Sequence, residues 1–520
     1  MGQARGVSAP AGGARLAGGA SPWPASKKGA GRARLARWGA FFLAALLGLA
    51  IRLPQLGARP MHTDEAVNAY MVGQLLDGQA FRYNPQDRHG PALAALALPL
   101  ARLQGARRFA SLTEAELRLT PVLAGTATIL LFGAGAEIFG FAPCLVAALL
   151  FAADSLPVYY DRYFIHESLF VAVTLALILA SWRAGATRSA GHAALAAACA
   201  ALLLACKETA VLHFAALGGA AGCYWLWHLR RQRLAGRWRP QALLAAAVAF
   251  LLVTVLLFTW FGAHWRALAA LAQAAPDYLA RAGGEGHQKP FRYYAQLLTG
   301  GWAGATIVAV ACIGVIRAVI ERGPSPYGFL AFYAILLTGL YGFIPYKTPW
   351  LALNLWLPLA LFFGLALTWL FRTARRHLPR RAVLPAFCFL GAVGAALIAH
   401  DTRQRVFADA GGETNPYAYA HTSEDLLGLP AEIEESALED HLASPRIAVI
   451  ASDPWPLPWY LRRYAQVGYW QPGQPTGKAD FYITSTEAAE EYQSQLQGLR
   501  PDFFGLRPGV LVILWLPPSP

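Results

Sequence analysis

Residues 90–103 read Gly-Pro-Ala-Leu-Ala-Ala-Leu-Ala-Leu-Pro-Leu-Ala-Arg-Leu. A perpendicular transmembrane helix needs about 20 apolar residues, so this run of 14 is short for a span and long for an ordinary loop. Whether it crosses a membrane or lies on one sets the side on which every later loop emerges.

The whole chain poses the same question. Of its 520 residues 56% are hydrophobic and 14% charged, and the mean hydropathy is +0.37. Soluble globular chains carry about 25% charged residues. The balance argues against a soluble enzyme, a disordered chain or a collagen-like fibre, and for a chain mostly dissolved in lipid with one small aqueous domain. An apolar run at 38–54 follows a Gly/Ala/Arg-rich tail, 1–37, which reads as disordered and cytoplasmic. It lacks a small-residue cleavage site and is taken as an uncleaved helix. Further candidate spans are 119–138, 141–160, 165–182, 191–206, 208–229, 241–263, 301–320, 327–344, 349–371 and 382–400.

Charge resolves the opening question. Residues 401–520 hold 8 Lys/Arg against 16 Asp/Glu, and residues 1–400 hold 36 against 14. Basic residues concentrate in cytoplasmic loops of membrane proteins. If 90–103 lies on the outer surface, eleven helices cross, and the basic loops 183–190, 230–239 and 372–381 all fall inside. If it spans, Arg230, Arg231, Arg233, Arg237 and Arg239 fall outside, against that bias. The expected fold is therefore a polytopic α-helical membrane protein of about eleven spans, multi-pass in the plasma (inner) membrane. Its N-terminus is cytoplasmic and its acidic C-terminal domain, 401–520, extracytoplasmic. The pI of 9.6 then reflects inside loops, and no nucleic-acid partner is expected. The six cysteines lie in apolar runs without CxxC pairs and read as small buried hydrophobes.

The C-terminal domain reads as α/β. Residues 423–442 are acidic with a helical pattern. Short apolar runs at 446–451, 481–484 and 509–515 suggest strands, and 486–498 another helix. Pro454, Pro456 and Pro458 with Trp455 and Trp459 form a rigid aromatic loop after the first strand.

The eleven-span arrangement gathers five polar clusters on the outer side. The first is Met61-His62-Thr63-Asp64-Glu65-Ala66. Adjacent carboxylates at a membrane surface can raise one pKa and supply a base, or Thr63 or Asp64 can simply cap a helix over 65–76. The second, Tyr83-Asn84-Pro85-Gln86-Asp87-Arg88-His89-Gly90-Pro91, is a turn that presents Arg88 and His89. The third runs Tyr159-Tyr160-Asp161-Arg162-Tyr163-Phe164-Ile165-His166-Glu167. Its acids, Arg and His are costly to bury unless paired, in an Asp161–Arg162 network, or functional; Asp154 lies one heptad earlier on the same face. The fourth is Lys207-Glu208, a rim ion pair or a snorkelling turn. The fifth, Pro345-Tyr346-Lys347-Thr348-Pro349-Trp350, holds a cation between two prolines, suited to a lipid phosphate or to an aromatic-belt turn. No HExxH or P-loop spacing occurs.

The order of these elements is informative. An Asp-Glu pair stands in the first outer loop, and a His-Gly-Pro segment precedes a surface helix. Arg-Leu-Thr-Pro (118–121) opens the next span, an Asp-Arg cluster follows, and Lys-Thr-Pro-Trp comes late in the bundle. That order resembles the GT-C glycosyltransferases, which include protein O-mannosyltransferases and aminoarabinose transferases. Within them the chain is most similar to the flippase-activity-associated proteins, through His-Thr-Asp-Glu-Ala, His-Gly-Pro and the tail Asp453-Pro454-Trp455-Pro456-Leu457-Pro458-Trp459-Tyr460. The resemblance covers about residues 38–520. It implies transfer of a sugar from a polyprenyl-phosphate-linked donor to a lipid, glycan or protein acceptor on the outer face, with inversion. It makes Asp64 the base, with Glu65 and Asp161 completing the catalytic set. His89, Arg162, His166, Glu167, Lys207, Glu208 and Lys347 would bind substrate, with Arg162, Lys207 and Lys347 on the departing phosphate. The resemblance names no definite cofactor, and a divalent cation among Asp64, Asp161 and nearby His is left open, though no spacing demands one. The sequence departs from the aminoarabinose transferases in having His89-Gly90-Pro91 where those have Lys-Pro-Pro. Its tail is also not the β-trefoil of the mannosyltransferases. A non-catalytic accessory of lipid-linked sugar flipping would use the same cleft. A transporter would show repeats and midplane polar groups instead.

Overall fold

The computed structural model describes residues 27–86, 89–229, 238–282, 288–321 and 325–518. Arg88 and the basic run Arg230, Arg231, Arg233 and Arg237 lie outside these, as does most of the expected tail 1–37.

The chain opens with α1 (Lys27–Arg52), which begins eleven residues before the expected first span. It continues with α2 (Thr63–Leu76), α3 (Ala92–Leu103), α4 (Glu114–Phe139), α5 (Phe141–Ala153), α6 (Ser155–Tyr160), α7 (Glu167–Thr187), α8 (Ala190–Cys206), α9 (Ala210–Tyr224), α10 (Pro240–Phe258), α11 (Ala267–Ala282), α12 (Tyr293–Leu298), α13 (Trp302–Ile320), α14 (Pro326–Phe343), α15 (Ala352–His377) and α16 (Arg380–Thr402). Among the described residues nine helices are long and apolar enough to cross a membrane, while α3, α5 and α8 are shorter apolar helices. The 12 residues of α3 reach about 18 Å, well short of a 30 Å hydrocarbon core. The run that opened the sequence therefore packs as a short helix against α2, α4 and α8.

Burial sorts the bundle. The apolar windows of α7 and α15 are 67% and 72% buried, and that of α16 is 6% buried. The first two form the centre and α16 turns most of its surface to lipid.

The expected continuous span 141–160 is broken. Asp154 takes an extended conformation and its side chain accepts a hydrogen bond from the Leu156 amide, capping α6. Asp is a favoured cap, and Pro157 is tolerated within a first turn. The break frees carbonyls at the end of α5, and a helix end inside a bundle needs partners for them. Arg52 donates to Ala152 and Phe151, and Thr402 donates to Ala153. Asp154 is thus a helix cap, and does not share a face of one continuous helix with Asp161.

The tail domain contains α17 (Leu429–Glu439), β1 (Arg446–Ile450), α18 (Leu457–Tyr460), β2 (Gln466–Trp470), β3 (Phe481–Ser485), β4 (Arg500–Arg507) and β5 (Val510–Leu516). The sheet order is β2-β1-β3-β5-β4. Strands β2, β1 and β3 are parallel, and β5 and β4 antiparallel. Central strands β1 and β3 are buried nearly throughout, as parallel strands covered on both faces are. The expected runs 446–451, 481–484 and 509–515 match β1, β3 and β5. The edge strands β2 and β4 are additional.

The aromatic loop after β1 docks this domain onto the membrane domain. Trp459 Nε1 donates to Glu114 Oε1 at 2.7 Å, and Arg462 donates through Nε and Nη2 to the Leu112 carbonyl. Tyr460 Oη accepts the Met61 amide at 2.8 Å, and Thr422 Oγ1 donates to the Met61 carbonyl at 2.8 Å. Both main-chain groups of Met61, three residues before Asp64, are held by the tail.

Candidate functional site

The cap of α2 is His62, in place of the expected Thr63 or Asp64. Its Nδ1 accepts the Asp64 amide at 3.0 Å, and Nε2 lies 2.9 Å from the Tyr419 carbonyl. Since Nδ1 accepts, Nε2 carries the proton and the ring is neutral. Burial holds its pKa below the ordinary histidine value. Glu65 closes the capping box by accepting the His62 amide at 3.2 Å.

The two adjacent carboxylates have opposite environments. Glu65 is fully buried. Arg118 donates to it through Nε and Nη2, both at 2.8 Å, and the Phe164 amide adds a third bond at 2.8 Å. Burial alone would raise its pKa, but the Arg118 guanidinium and these bonds bring it down to about 2. Glu65, expected in the catalytic set, is thus committed to these donors. It ties the start of α2 to α4 and to the segment after α6. Asp64, one residue earlier, is half-buried, and its carboxylate has no hydrogen bond or ion pair among the described residues. Its charge acts on His62, Tyr163, Lys207 and Tyr419.

A second tier lies on the adjoining loop and the α8–α9 turn. His89 Nδ1 is 2.7 Å from Glu208 Oε2, and Lys207 Nζ is 2.5 Å from Glu167 Oε1. The His166 ring stands edge-on to His89 with centroids 5.0 Å apart. The sequence neighbours Lys207 and Glu208 therefore pair outward with separate partners and not with each other. Gly90 allows this approach: a Cβ there would lie 2.1 Å from the Ala205 carbonyl oxygen.

The Asp161–Arg162 network also resolves differently. Asp161 is fully buried and accepts from Arg52 Nε at 2.8 Å, its carboxylate packed against Gly125. Arg162 donates to the carbonyls of Arg52, Pro54 and Gln55 at 2.5, 2.6 and 3.1 Å, closing the free end of α1. These residues lock α1 to the α5–α6 break: Asp161, expected in the catalytic set, and Arg162, expected on the phosphate, make these contacts and do not pair with each other. Among the described residues no group of three or more His, Cys, Asp or Glu is placed to hold a metal ion, and Asp161 is committed to Arg52.

Lys347 sits in the turn between α14 and α15. Its ammonium donates to the carbonyls of Lys289 and Ile344 and meets no carboxylate among the described residues. Burial lowers its pKa below the ordinary lysine value. Of its three donors one is left for an anion.

Several contributors were not picked out from the sequence: Arg52, Arg59, Arg118, Tyr419, His421 and Tyr460. Arg52 and Arg118 had a readable signal, because a lone cation at the end of an apolar run is rare unless paired. Arg59 lies over the faces of Tyr159 and Tyr163, 5.0 and 4.5 Å from their centroids. Tyr419, His421 and Tyr460 come from the tail and carry no local signal.

No family model matches this chain, and no curated protein does. Solved structures do. ArnT from Cupriavidus metallidurans bound to undecaprenyl phosphate matches with TM-score 0.63 at 16% identity, over 92% of this chain and 98% of that one. The oligosaccharyltransferase of Archaeoglobus fulgidus in the apo form matches with TM-score 0.56 at 13% identity, over 84% and 65%. AglB of the same organism, in complex with an inhibitory peptide and a dolichol-phosphate, matches with TM-score 0.53 at 13% identity, over 91% and 73%. The chain shares the fold of these structures, a multi-pass membrane architecture with a small C-terminal sheet domain.

Proposed function

We propose that this protein is a membrane glycosyltransferase that moves a sugar from a polyprenyl-phosphate-linked donor to an acceptor on the outer face of the membrane, inverting the anomeric carbon. Asp64 carries the proposal. It is a half-buried carboxylate without a partner, on a helix start fixed by His62, Glu65 and Met61, in a fold whose relatives include structures with undecaprenyl phosphate and dolichol-phosphate bound. In this reading Asp64 takes the proton from the acceptor hydroxyl as it attacks C1, and the C1–O bond to the carrier phosphate breaks. Lys207 and Lys347 meet the negative charge left on that phosphate. His89, His166, Glu167 and Glu208 hold Lys207 and the loop before α3 in place. The reading also places the N-terminus in the cytoplasm, the tail domain outside, and the chain with the flippase-activity-associated proteins.

The test is transfer of labelled sugar from a polyprenyl-phosphate donor by membranes carrying wild type or Asp64→Asn. General-base loss removes about 10²–10⁴-fold of rate. Transfer by Asp64→Asn equal to wild type would end the catalytic reading. A second reading, a binder of lipid-linked glycans without catalysis, is favoured by the pairing of Glu65, Asp161, Glu167 and Glu208, which leaves Asp64 as the free acid of the expected set. Wild type that binds carrier but transfers no label would select it.

A further inference from the structure

A cavity of about 410 Å³ lies at the end of the bundle away from Asp64. Three helices reach both places. Arg52 ends α1, Arg118 stands near the start of α4 and Glu167 opens α7, all in or beside the candidate site. The same helices bring Arg37, Glu137 and Arg183 to the cavity, 15, 19 and 16 residues away along them. At about 1.5 Å per residue these spacings are about 22–28 Å, close to the thickness of a bilayer's hydrocarbon core. The cavity therefore opens at the opposite membrane boundary.

Arg34, Arg37 and Arg183 line the cavity against a single carboxylate, Glu137. Arg34 and Arg37 are exposed and form no hydrogen bond or ion pair among the described residues. Arg183 donates from Nη2 to the Ala134 carbonyl at 2.6 Å and lies 3.8 Å from Glu137. A guanidinium carries five donors, so that bond leaves most of them for a ligand. The excess of positive charge draws an anion and repels a cation. Beside the cavity α1 and α4 approach closely, since a Cβ on Gly133 would lie 2.9 Å from Phe41 Cγ and 3.0 Å from the Trp38 ring. The rim is continuous with lipid. Arg34, Trp38, Phe42 and Leu46 follow at four-residue intervals, which places them along one face of α1. Trp38, Phe42 and Leu46 are all exposed, so a basic head stands at the end of an apolar track. A soluble anion would use the arginines and leave that track bare, whereas an anionic lipid uses both.

We propose that this cavity binds the phosphate head of an anionic membrane lipid in the leaflet opposite Asp64, with Arg34, Arg37 and Arg183 on the phosphate and an acyl chain along Phe42 and Leu46. Guanidinium groups suit phosphate oxygens, and basic pockets between transmembrane helices recognise such lipid heads. The site does not rest on the transferase reading. A lipid seated there braces α1 against α4 and α7, the helices that carry Arg52, Arg118 and Glu167 to the candidate site.

The experiment uses the full chain in a neutral detergent. Native mass spectrometry follows titration with phosphatidylglycerol or phosphatidylcholine, and competition by inorganic phosphate and by glycerophosphoglycerol, the same head without chains. Arg34→Gln/Arg37→Gln removes two cavity cations from exposed positions, where the fold does not depend on them. Arg375→Gln/Arg376→Gln removes the same charge from exposed positions at the end of α15, outside the cavity. A cation near a membrane surface contributes roughly fivefold to anionic-lipid binding, so the first pair should weaken phosphatidylglycerol binding about 25-fold. The second pair and Asp64→Asn should leave it as in wild type. Phosphatidylcholine, which has no net charge, should bind far more weakly, and a photoreactive acyl chain on phosphatidylglycerol should label residues 38–46. Equal weakening by the two arginine pairs would mean attraction by bulk charge, and equal affinity for the two lipids a nonspecific apolar contact; either overturns the site. Displacement by inorganic phosphate or by the chainless head would make the ligand a soluble anion and overturn it too, as would label confined to other helices or binding lost in Asp64→Asn.

Discussion

Glu65→Gln separates the two adjacent carboxylates by experiment. The side chain keeps its shape and loses its charge, leaving Arg118 buried without a counter-ion. Glu65 accepts two 2.8 Å bonds from Arg118 and one from Phe164. The difference between an ordinary value of 4.5 and about 2 corresponds to about 3 kcal/mol of native stability. Breaking a buried pair by removing one partner typically costs about 3–5 kcal/mol. At about 2.1 cal/mol/K of unfolding entropy per residue over 520 residues, thermal unfolding in detergent at pH 7 should therefore show a midpoint lower by about 3–5 °C. Because the folded pKa is depressed, this contribution is complete above about pH 4.5 and fades as pH falls toward about 2. The gap between wild type and Glu65→Gln should close over the same interval. A Glu65→Gln midpoint equal to wild type at pH 7 would refute the holding role, as would a constant gap down to pH 3. Transfer abolished at an unchanged midpoint would restore Glu65 to the chemistry.

Two further outcomes test the scaffold around the site. Gly90→Ala should be destabilised by about 1–3 kcal/mol through overpacking against the Ala205 carbonyl, and should raise the KM for donor by displacing His89 from Glu208. An unchanged KM would show that this loop does not position the substrate. Arg52→Met and Asp161→Asn should each cost about 3–5 kcal/mol of stability, read as a lower melting midpoint. The double variant Arg52→Met/Asp161→Leu should recover much of that loss, whereas further loss in the double variant would contradict a mutual pair.

The membrane part of the fold was legible because apolar runs and basic loops are local signals. The short run at 90–103 forms a helix of 12 residues, as short as its length in sequence implied. The break at Asp154 was hidden because its flanks, Ala152-Ala153 and Leu156, are apolar, and a single acid was read as lying within a span. The buried strands β1, β3 and β5 announced themselves as apolar runs. The edge strands β2 and β4 are half-exposed and mixed in pattern, so hydropathy did not separate them from loops. For the candidate site, the sequence pointed to the loops that carry these side chains but not to their pairings. Asp161 meets Arg52 across 109 residues, Glu65 meets Arg118 across 53, and Glu208 meets His89 across 119. Neighbours in sequence looked like partners, as with Asp161 and Arg162 or Lys207 and Glu208. Burial instead matched each charge to whichever element crossed it, a result of packing that no local spacing encodes.

The grip on Met61 sets an order of assembly. Synthesis runs from the N-terminus, so the segment bearing Asp64 is made early. The hydroxyls that hold Met61 belong to Thr422 and Tyr460 and arrive some 360 and 400 residues later. Until the tail has emerged and folded, the helix start at His62 lacks both of these contacts and the Tyr419 carbonyl as well. A nascent or C-terminally truncated chain can insert its helices yet carries an unanchored carboxylate.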